Sequence, residues 1–278
     1  MRILTTPKAE EFLEIAEAEL LRHEAEHSLI LSVALRVRDG YRYGDASPFF
    51  LVAQEEDRLI AAVVRTPPHG IILHGDPERC DVLEQVANHM ASIGHTFPTA
   101  HGTALLVDRF CRAWQQQTGQ SFTLRMSQRL YCLTDVQPTA TVAGHMRWAT
   151  EGDIPLLADW WRSFIEEATH DDVPPDLHDR ILQFIQRGRL AVWEDGSPMS
   201  MVGSGRGTPN GRTIAPVYTP HEARRRGYAT ACVAALCRHL LSEGAQFCTL
   251  YTDLSNPTSN RIYQSIGFRP VADCAMYG

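Results

Sequence analysis

Thr213-Ile214-Ala215-Pro216-Val217-Tyr218-Thr219-Pro220-His221-Glu222-Ala223-Arg224-Arg225-Arg226-Gly227-Tyr228-Ala229-Thr230 reads as a strand over 213–219, a loop over 220–223 and the opening of an apolar helix that ends near Gly244. The free N–H groups and dipole of a helix N-terminus attract anions. Gly227 lets a bulky anion approach the backbone, Ala229 keeps the first turn thin, and Arg224, Arg225 and Arg226 add charge. A pyrophosphate suits that description, and a solvated basic run before a core helix would look similar. A Walker loop would need GxxxxGK[ST] and a Rossmann fingerprint GxGxxG after a strand, and neither is present. Downstream, 246–253 reads as a buried strand. Asn256-Pro257 starts a short helix through Tyr263, Gly267 ends it, and a final strand starts at Phe268.

Arg224-x-x-Gly227-x-Ala229, preceded by Val217-Tyr218-Thr219-Pro220, resembles the pyrophosphate loop of the GNAT superfamily of acyl-CoA N-acyltransferases. Asn256-Pro257-x-Ser259-Asn260-x-Ile262-Tyr263-x-x-x-Gly267-Phe268 resembles that superfamily's last block. The resemblance is close over 213–271 and weaker from about 145. It implies a sheet split at the strand 213–219, with acetyl-CoA, the acyl donor, in the split. Its pantetheine would pair with the backbone of Val217 and Thr219 around Tyr218. Its pyrophosphate would rest on the loop from Arg224, on the amides of Arg225, Arg226, Gly227, Tyr228, Ala229 and Thr230. Asn256 would bond the pantetheine arm, with Asn260 in the same block. An amine would attack the thioester directly, and an N–H near Val217 would steady the oxyanion. Tyr263 would protonate the departing thiolate; the plain alternative is a packed helix aromatic.

Working outward, Asp153-Ile154-Pro155 opens a helix to about His170, 172–176 is a break, and 177–187 is another helix. Strands 190–193 and 199–202 flank the turn Glu194-Asp195-Gly196-Ser197. The first half has the same order: helices over 9–27 and 28–37, strands 49–53 and 59–64 around Glu55–Arg58, a strand at 71–73, and a helix over 77–93. That last helix has Asp76 as N-cap and Pro77 in its first turn. A helix near 107–117 and a strand over 122–133 follow. Two copies of one α/β unit are expected, each a mixed, mostly antiparallel sheet flanked by helices. The first spans 1–138 and the second 139–278, with the linker in 135–144 around Pro138. The first copy lacks the loop: Asp76 and Glu78 would repel a pyrophosphate. Trp114 falls near the counterpart of Tyr263 and cannot donate a phenolic proton. It reads as a degenerate copy, either structural or a wall of the substrate site.

Composition bounds the rest. The 278 residues carry 26 Lys plus Arg against 33 Asp plus Glu, a net charge of -7, which argues against a nucleic-acid partner. No apolar run reaches the roughly 18 residues of a membrane span. The N-terminus leads into an acidic helix, with no apolar signal core. Seven cysteines, an odd number with no CxxC pair, read as reduced core thiols of a cytoplasmic protein. His23-Glu24-Ala25-Glu26-His27 matches the HExxH zinc helix, but both histidines extend the stripe Phe12, Ala16, Leu20 and no third ligand follows, so no metal is expected. His170-Asp171-Asp172 reads as a polar helix end. The resemblance implies that the helix carrying Trp160 and Trp161 borders the acceptor cleft, which makes Glu166, Glu167, Asp171 and Asp172 the candidates to face a cationic acceptor, a small-molecule or peptide amine; core tryptophans with solvated glutamates are the plain alternative. The leading function is acetyl-CoA-dependent N-acetyl transfer; the alternative is a catalytically silent acyl-CoA-binding regulatory protein.

Overall fold

A computed structural model of the chain describes residues 1–169 and 172–278. The chain divides into two compact units: Met1–Leu130 with Pro270–Gly278, and Tyr131–Arg269. In unit 1 the elements are β1 (Arg2–Thr6), α1 (Ala9–Leu21), α2 (Ser28–Arg38), β2 (Phe49–Glu55), β3 (Arg58–Arg65), β4 (Ile71–Gly75), α3 (Cys80–Ser92), β5 (Ala100–Thr103), α4 (Ala104–Thr118) and most of β6 (Leu124–Leu133), whose residues from Tyr131 fall in unit 2. Unit 2 holds β7 (His145–Trp148), α5 (Ile154–Phe164), α6 (Leu177–Gln186), β8 (Leu190–Glu194), β9 (Pro198–Gly207), β10 (Gly211–Tyr218), α7 (Tyr228–Ser242), β11 (Phe247–Asp253) and α8 (Pro257–Ile266). The last strand, β12 (Arg269–Tyr277), closes the chain. Each half therefore runs strand, two helices, three strands, helix, strand, helix, strand.

Unit 1 orders its strands β1-β2-β3-β4-β5-β12-β6. β12 pairs antiparallel with β5, from Cys274 opposite Thr103 to Tyr277 opposite Ala100. The strand expected to finish the second copy thus belongs to unit 1, and unit 2 already begins at Tyr131, ahead of the expected linker. The Arg129–Asp273 ion pair and the Gly278 carbonyl, which accepts from the Thr123 amide, fasten β12 there. Alternation along β2 builds two cores. Phe50 and Val52 pack with α1 and α2, while Leu51 and Ala53 pack with α3 and α4. Unit 2 orders its strands β11-β10-β9-β8-β7. Its β10 likewise sends Tyr218 toward α5 and α6, and Ile214 and Val217 toward α7 and α8. Burying one such large apolar side chain contributes about 1.5–3 kcal/mol.

Three expected boundaries move. The helix from Ala9 stops at Leu21, and residues 22–27 form turns, so the HExxH residues are not on an α-helix. That helix has no basic residue in its last turn, and continuing it would bring Glu24 and Glu26 onto its negative end. The helix expected from Pro77 starts at Cys80. Asp76 caps a local turn instead, its Oδ1 accepting from the Glu78 amide at 2.8 Å. The helix from Ile154 passes at Phe164 into a π-turn, Ile165–Thr169. His170 and Asp171 lie outside the described residues.

Candidate acyl-CoA site

β10 and β11 run parallel but pair over only three positions: Gly211 with Phe247, Arg212 with Cys248, Thr213 with Thr249. Beyond Thr213 the strand keeps only its β9 partner, with register breaks between Arg212 and Ile214 and between Ile214 and Val217. The far edge of 214–218 is thus left without a strand, and such an edge offers main-chain hydrogen bonds to an extended ligand. The strand's end is pinned from β9: Ser200 Oγ donates to the Tyr218 carbonyl at 3.0 Å and lies 2.8 Å from Thr219 Oγ1.

The chain then turns through His221–Ala223 to the helix. Arg225 has φ +62° and Gly227, the N-cap of α7, φ +85°. A left-handed arginine is rare outside functional turns. Alternation of this kind points successive N–H groups into an anion-binding concavity. The side chains behave differently from the backbone. Tyr228 is buried, and its hydroxyl donates to Asp195 Oδ2 at 2.5 Å, which raises its pKa. Arg226 reaches the same carboxylate at 3.9 Å. Arg224 turns away from the helix: Nε donates to the Thr219 carbonyl and Nη2 to Glu167 Oε2, both at 2.8 Å. Arg225 stays exposed, while Ala229 and Thr230 are half-buried in the first turn.

Gly227 has a reason the sequence did not contain. A Cβ there would lie 2.9 Å from Val142 Cγ2. The segment expected as linker passes over this point, held at its ends by the Gln137 amide donating to the Ile266 carbonyl and Trp193 Nε1 donating to the Ala143 carbonyl, each at 2.8 Å.

Tyr263 sits on α8 with its ring 5.8 Å from Phe268. It is 9 % exposed, and its hydroxyl has no hydrogen-bond partner among the described residues. Burial, then Cys237, raises its pKa, so the phenol keeps its proton across the neutral range. Asn256 and Asn260 take structural duties. Asn256 Oδ1 accepts from the Ser259 amide at 3.1 Å as N-cap of α8. Asn260 Nδ2 donates to the carbonyls of Asp253 and Asn256, and its Oδ1 accepts from Tyr131 and Thr252, so the whole amide is committed inside the protein. Of the described acidic candidates, all three exposed, Glu167 has contacts with the end of β10 and the loop, and Glu166 and Asp172 do not. Spacing along the chain gave no signal for Val142, Asp195 or Ser200.

Unit 1 also parts its parallel pair, β4 and β5, after Ile71 opposite Ala100 and Ile72 opposite His101. His74 follows on β4, with its ring 4.4 Å from that of His27. Burial, then His27 and His23, lower the His74 pKa to about 3. His27 Nδ1 lies 2.9 Å from the Leu20 carbonyl, and no group of three or more metal-ligating side chains is found among the described residues. Ahead of α3, Arg79 is clamped by Glu55 and Asp81 and Arg109 by Glu78, so carboxylates hold the place that anions would need. A cavity of about 210 Å³ among the loops near Tyr41, Tyr43 and Pro67 also belongs to unit 1 and contains none of the motif residues. No described helix is long and apolar enough to cross a membrane, and all seven cysteines are free thiols.

Strand, split, left-handed loop and helix come together as one candidate anion-binding site on an α/β unit. Residues 154–268, which lie within unit 2, match the Acetyltransferase (GNAT) family. Solved structures share the fold along nearly the whole chain. A GNAT-family acetyltransferase from Colwellia psychrerythraea is 12 % identical with a TM-score of 0.59, covering 100 % of this chain and 99 % of its own. A GCN5-related N-acetyltransferase from Sphaerobacter thermophilus is 16 % identical with a TM-score of 0.62, covering 99 % and 94 %. A tandem GNAT protein from the clavulanic acid biosynthesis pathway is 10 % identical with a TM-score of 0.56, covering 99 % and 98 %. The fold of this chain is therefore that of a tandem GNAT protein. No curated protein sequence matches it.

Proposed function

We propose that unit 2 transfers an acetyl group from acetyl-CoA to a primary amine by direct attack. The observation that carries this reading is the open edge of 214–218 leading straight into the left-handed loop and the N-terminus of α7. The pantetheine arm would add as a strand to that edge, and the pyrophosphate would accept hydrogen bonds from the loop amides between Arg225 and Thr230. Pro216 has no N–H, which leaves Val217 and Tyr218 as the nearest amides to polarise the thioester carbonyl and steady its oxyanion. A neutral amine nitrogen attacks the carbonyl carbon, the C–S bond breaks, Tyr263 gives its proton to the thiolate, and the proton shed by the nitrogen passes through water to restore the phenol. Its raised pKa keeps that proton in place before the step and makes the phenol a weaker donor.

The acceptor is a small-molecule or peptide amine, and the seven free thiols support a cytoplasmic setting. One observation favours a silent acyl-CoA-binding regulator instead: Tyr263 is nearly enclosed. Thiol release from acetyl-CoA over a panel of amino acids, polyamines, aminoglycosides and peptides separates the two. The transferase reading expects amine-dependent thiol. Tight acetyl-CoA binding with no thiol from any amine would favour the regulator.

A further inference from the structure

Glu167 lies on the π-turn that ends α5, where one extra residue per turn pushes the chain outward. Both its oxygens are engaged. Oε2 accepts from Arg224 at 2.8 Å; Oε1 accepts from the Tyr218 hydroxyl at 3.3 Å and lies 3.5 Å from His221 Nε2. Arg224 is likewise fully turned toward this group, its Nε on the Thr219 carbonyl and its guanidinium carbon 5.5 Å from the centre of the Tyr218 ring. The three partners of Glu167 all come from the end of β10 and the loop after it. A charge-assisted hydrogen bond of this length is about twice as strong as a neutral one, and two further contacts converge on the same carboxylate.

We propose that Glu167 and Arg224 are a positioning pair. They fasten the turn after α5 to the end of β10, beside the amides assigned to the thioester. Arg224, although it opens the pyrophosphate motif, is not a cofactor ligand, and Glu167 serves this contact with both its oxygens rather than taking the proton of the incoming amine. The pair holds one wall of the acceptor side in register with the cofactor edge. This function rests on the acetyl-transfer reading; the fastening itself does not.

Hydrogen exchange and acetyl-CoA calorimetry on the full-length protein test the pair, using Glu167→Gln, Arg224→Ala, Arg224→Lys and the double variant Glu167→Gln/Arg224→Ala. Each of the first two should speed exchange in 160–167 by about tenfold, because the same link is lost. The double variant should add little, as expected for partners in one contact. Lysine should rescue partly, keeping the charge without the fork. Acetyl-CoA affinity should stay within about threefold in Arg224→Ala, whose charge is turned from the phosphates. Unchanged exchange in 160–167, or additive effects in the double variant, would overturn the pair. So would a more than tenfold, salt-sensitive loss of acetyl-CoA affinity in Arg224→Ala. If the wild-type protein binds no acetyl-CoA, the proposed function fails, and the exchange data still decide whether the clasp exists.

Discussion

Helices α3 and α7 begin at the same point of the repeated unit, each after the third of three successive strands, and they meet that point with opposite charge. Ahead of α7 the chain places Arg225 and Gly227 in left-handed conformations and leaves Arg225 exposed. Ahead of α3 it places Asp76 and Glu78, and Arg79 is taken up by Glu55 and Asp81. Both units part their parallel strands nearby, so the opening comes with the fold, whereas an anion site needs the loop. The end of β4 in unit 1 carries His74 against His27, and the end of β10 carries Tyr218 against Glu167. One topology thus carries a left-handed basic loop in one copy and carboxylate-clamped arginines in the other.

The comparison breaks most easily at the first turn of α7. Ala229→Glu puts a carboxylate among the amides assigned to the pyrophosphate and is expected to weaken acetyl-CoA binding at least about 100-fold, through lost helix-terminus attraction and direct repulsion. Glu78→Gln with Asp81→Asn in unit 1 should leave binding unchanged. Calorimetry checks both, and equal effects would erase the distinction between the units. Gly227→Glu is a poorer test, because its φ of +85° and Val142 would strain the fold regardless of any ligand.

The next contrast sets Tyr263 against Trp114. Tyr263→Phe keeps the ring and removes the proton. It should lower kcat by roughly one to three decades with acetyl-CoA affinity within about threefold. Trp114 is 2 % exposed, packed against Phe97 and Phe110, with its indole N–H on Gln120. Trp114→Phe should cost about 1–3 kcal/mol of stability and leave kcat unchanged. Full activity in Tyr263→Phe would assign the proton to water or another group. Loss of fold and affinity together would make the ring structural.

The smallest effect is electrostatic. Hydrogen bonds from Arg147 hold the Asp153 pKa down at about 2, with help from the Thr150 amide and hydroxyl. The unfolded value is near 3.9. A depressed carboxylate stabilises the fold above its unfolded pKa, and that contribution is lost as pH falls from about 4 to 2. Asp153→Asn should therefore cost about 1–2 kcal/mol at neutral pH and flatten acid unfolding of unit 2 in that window, as followed by denaturant titration. The Glu55–Arg79–Asp81 cluster of unit 1 is exposed, so Asp81→Asn should leave a much shallower trace. Equal responses would mean that exposure does not set the weight of these pairs.

Much of this was legible in the sequence wherever the determinant is local. The loop ahead of α7 and the α8 block are short stretches with fixed spacing, and the order of elements showed the repeat. Three strands went unseen: β1, β5 and β7. β5 is only Ala100-His101-Gly102-Thr103, whose conformation comes from its sheet neighbours and not from its own residues. The exchange of β12 into unit 1 had no local signature, because nothing in a strand's alternation says which sheet it joins. A fragment ending at residue 138 would lack β12, the antiparallel partner of β5, so tests on unit 1 need the whole chain. Glu167 and Arg224 are 57 residues apart in sequence, and Val142 meets Gly227 only after folding. Such contacts give Arg224 and the Asn260 amide partners within the protein that the motif spacing does not show.

The central claim, that one copy of the repeat takes acyl-CoA and the other does not, is tested most directly by the stoichiometry of acetyl-CoA binding to the intact chain. Calorimetry should give one molecule per chain, lost in Ala229→Glu and retained in the unit 1 variant Glu78→Gln/Asp81→Asn. Two molecules per chain, or one that survives Ala229→Glu, would contradict it.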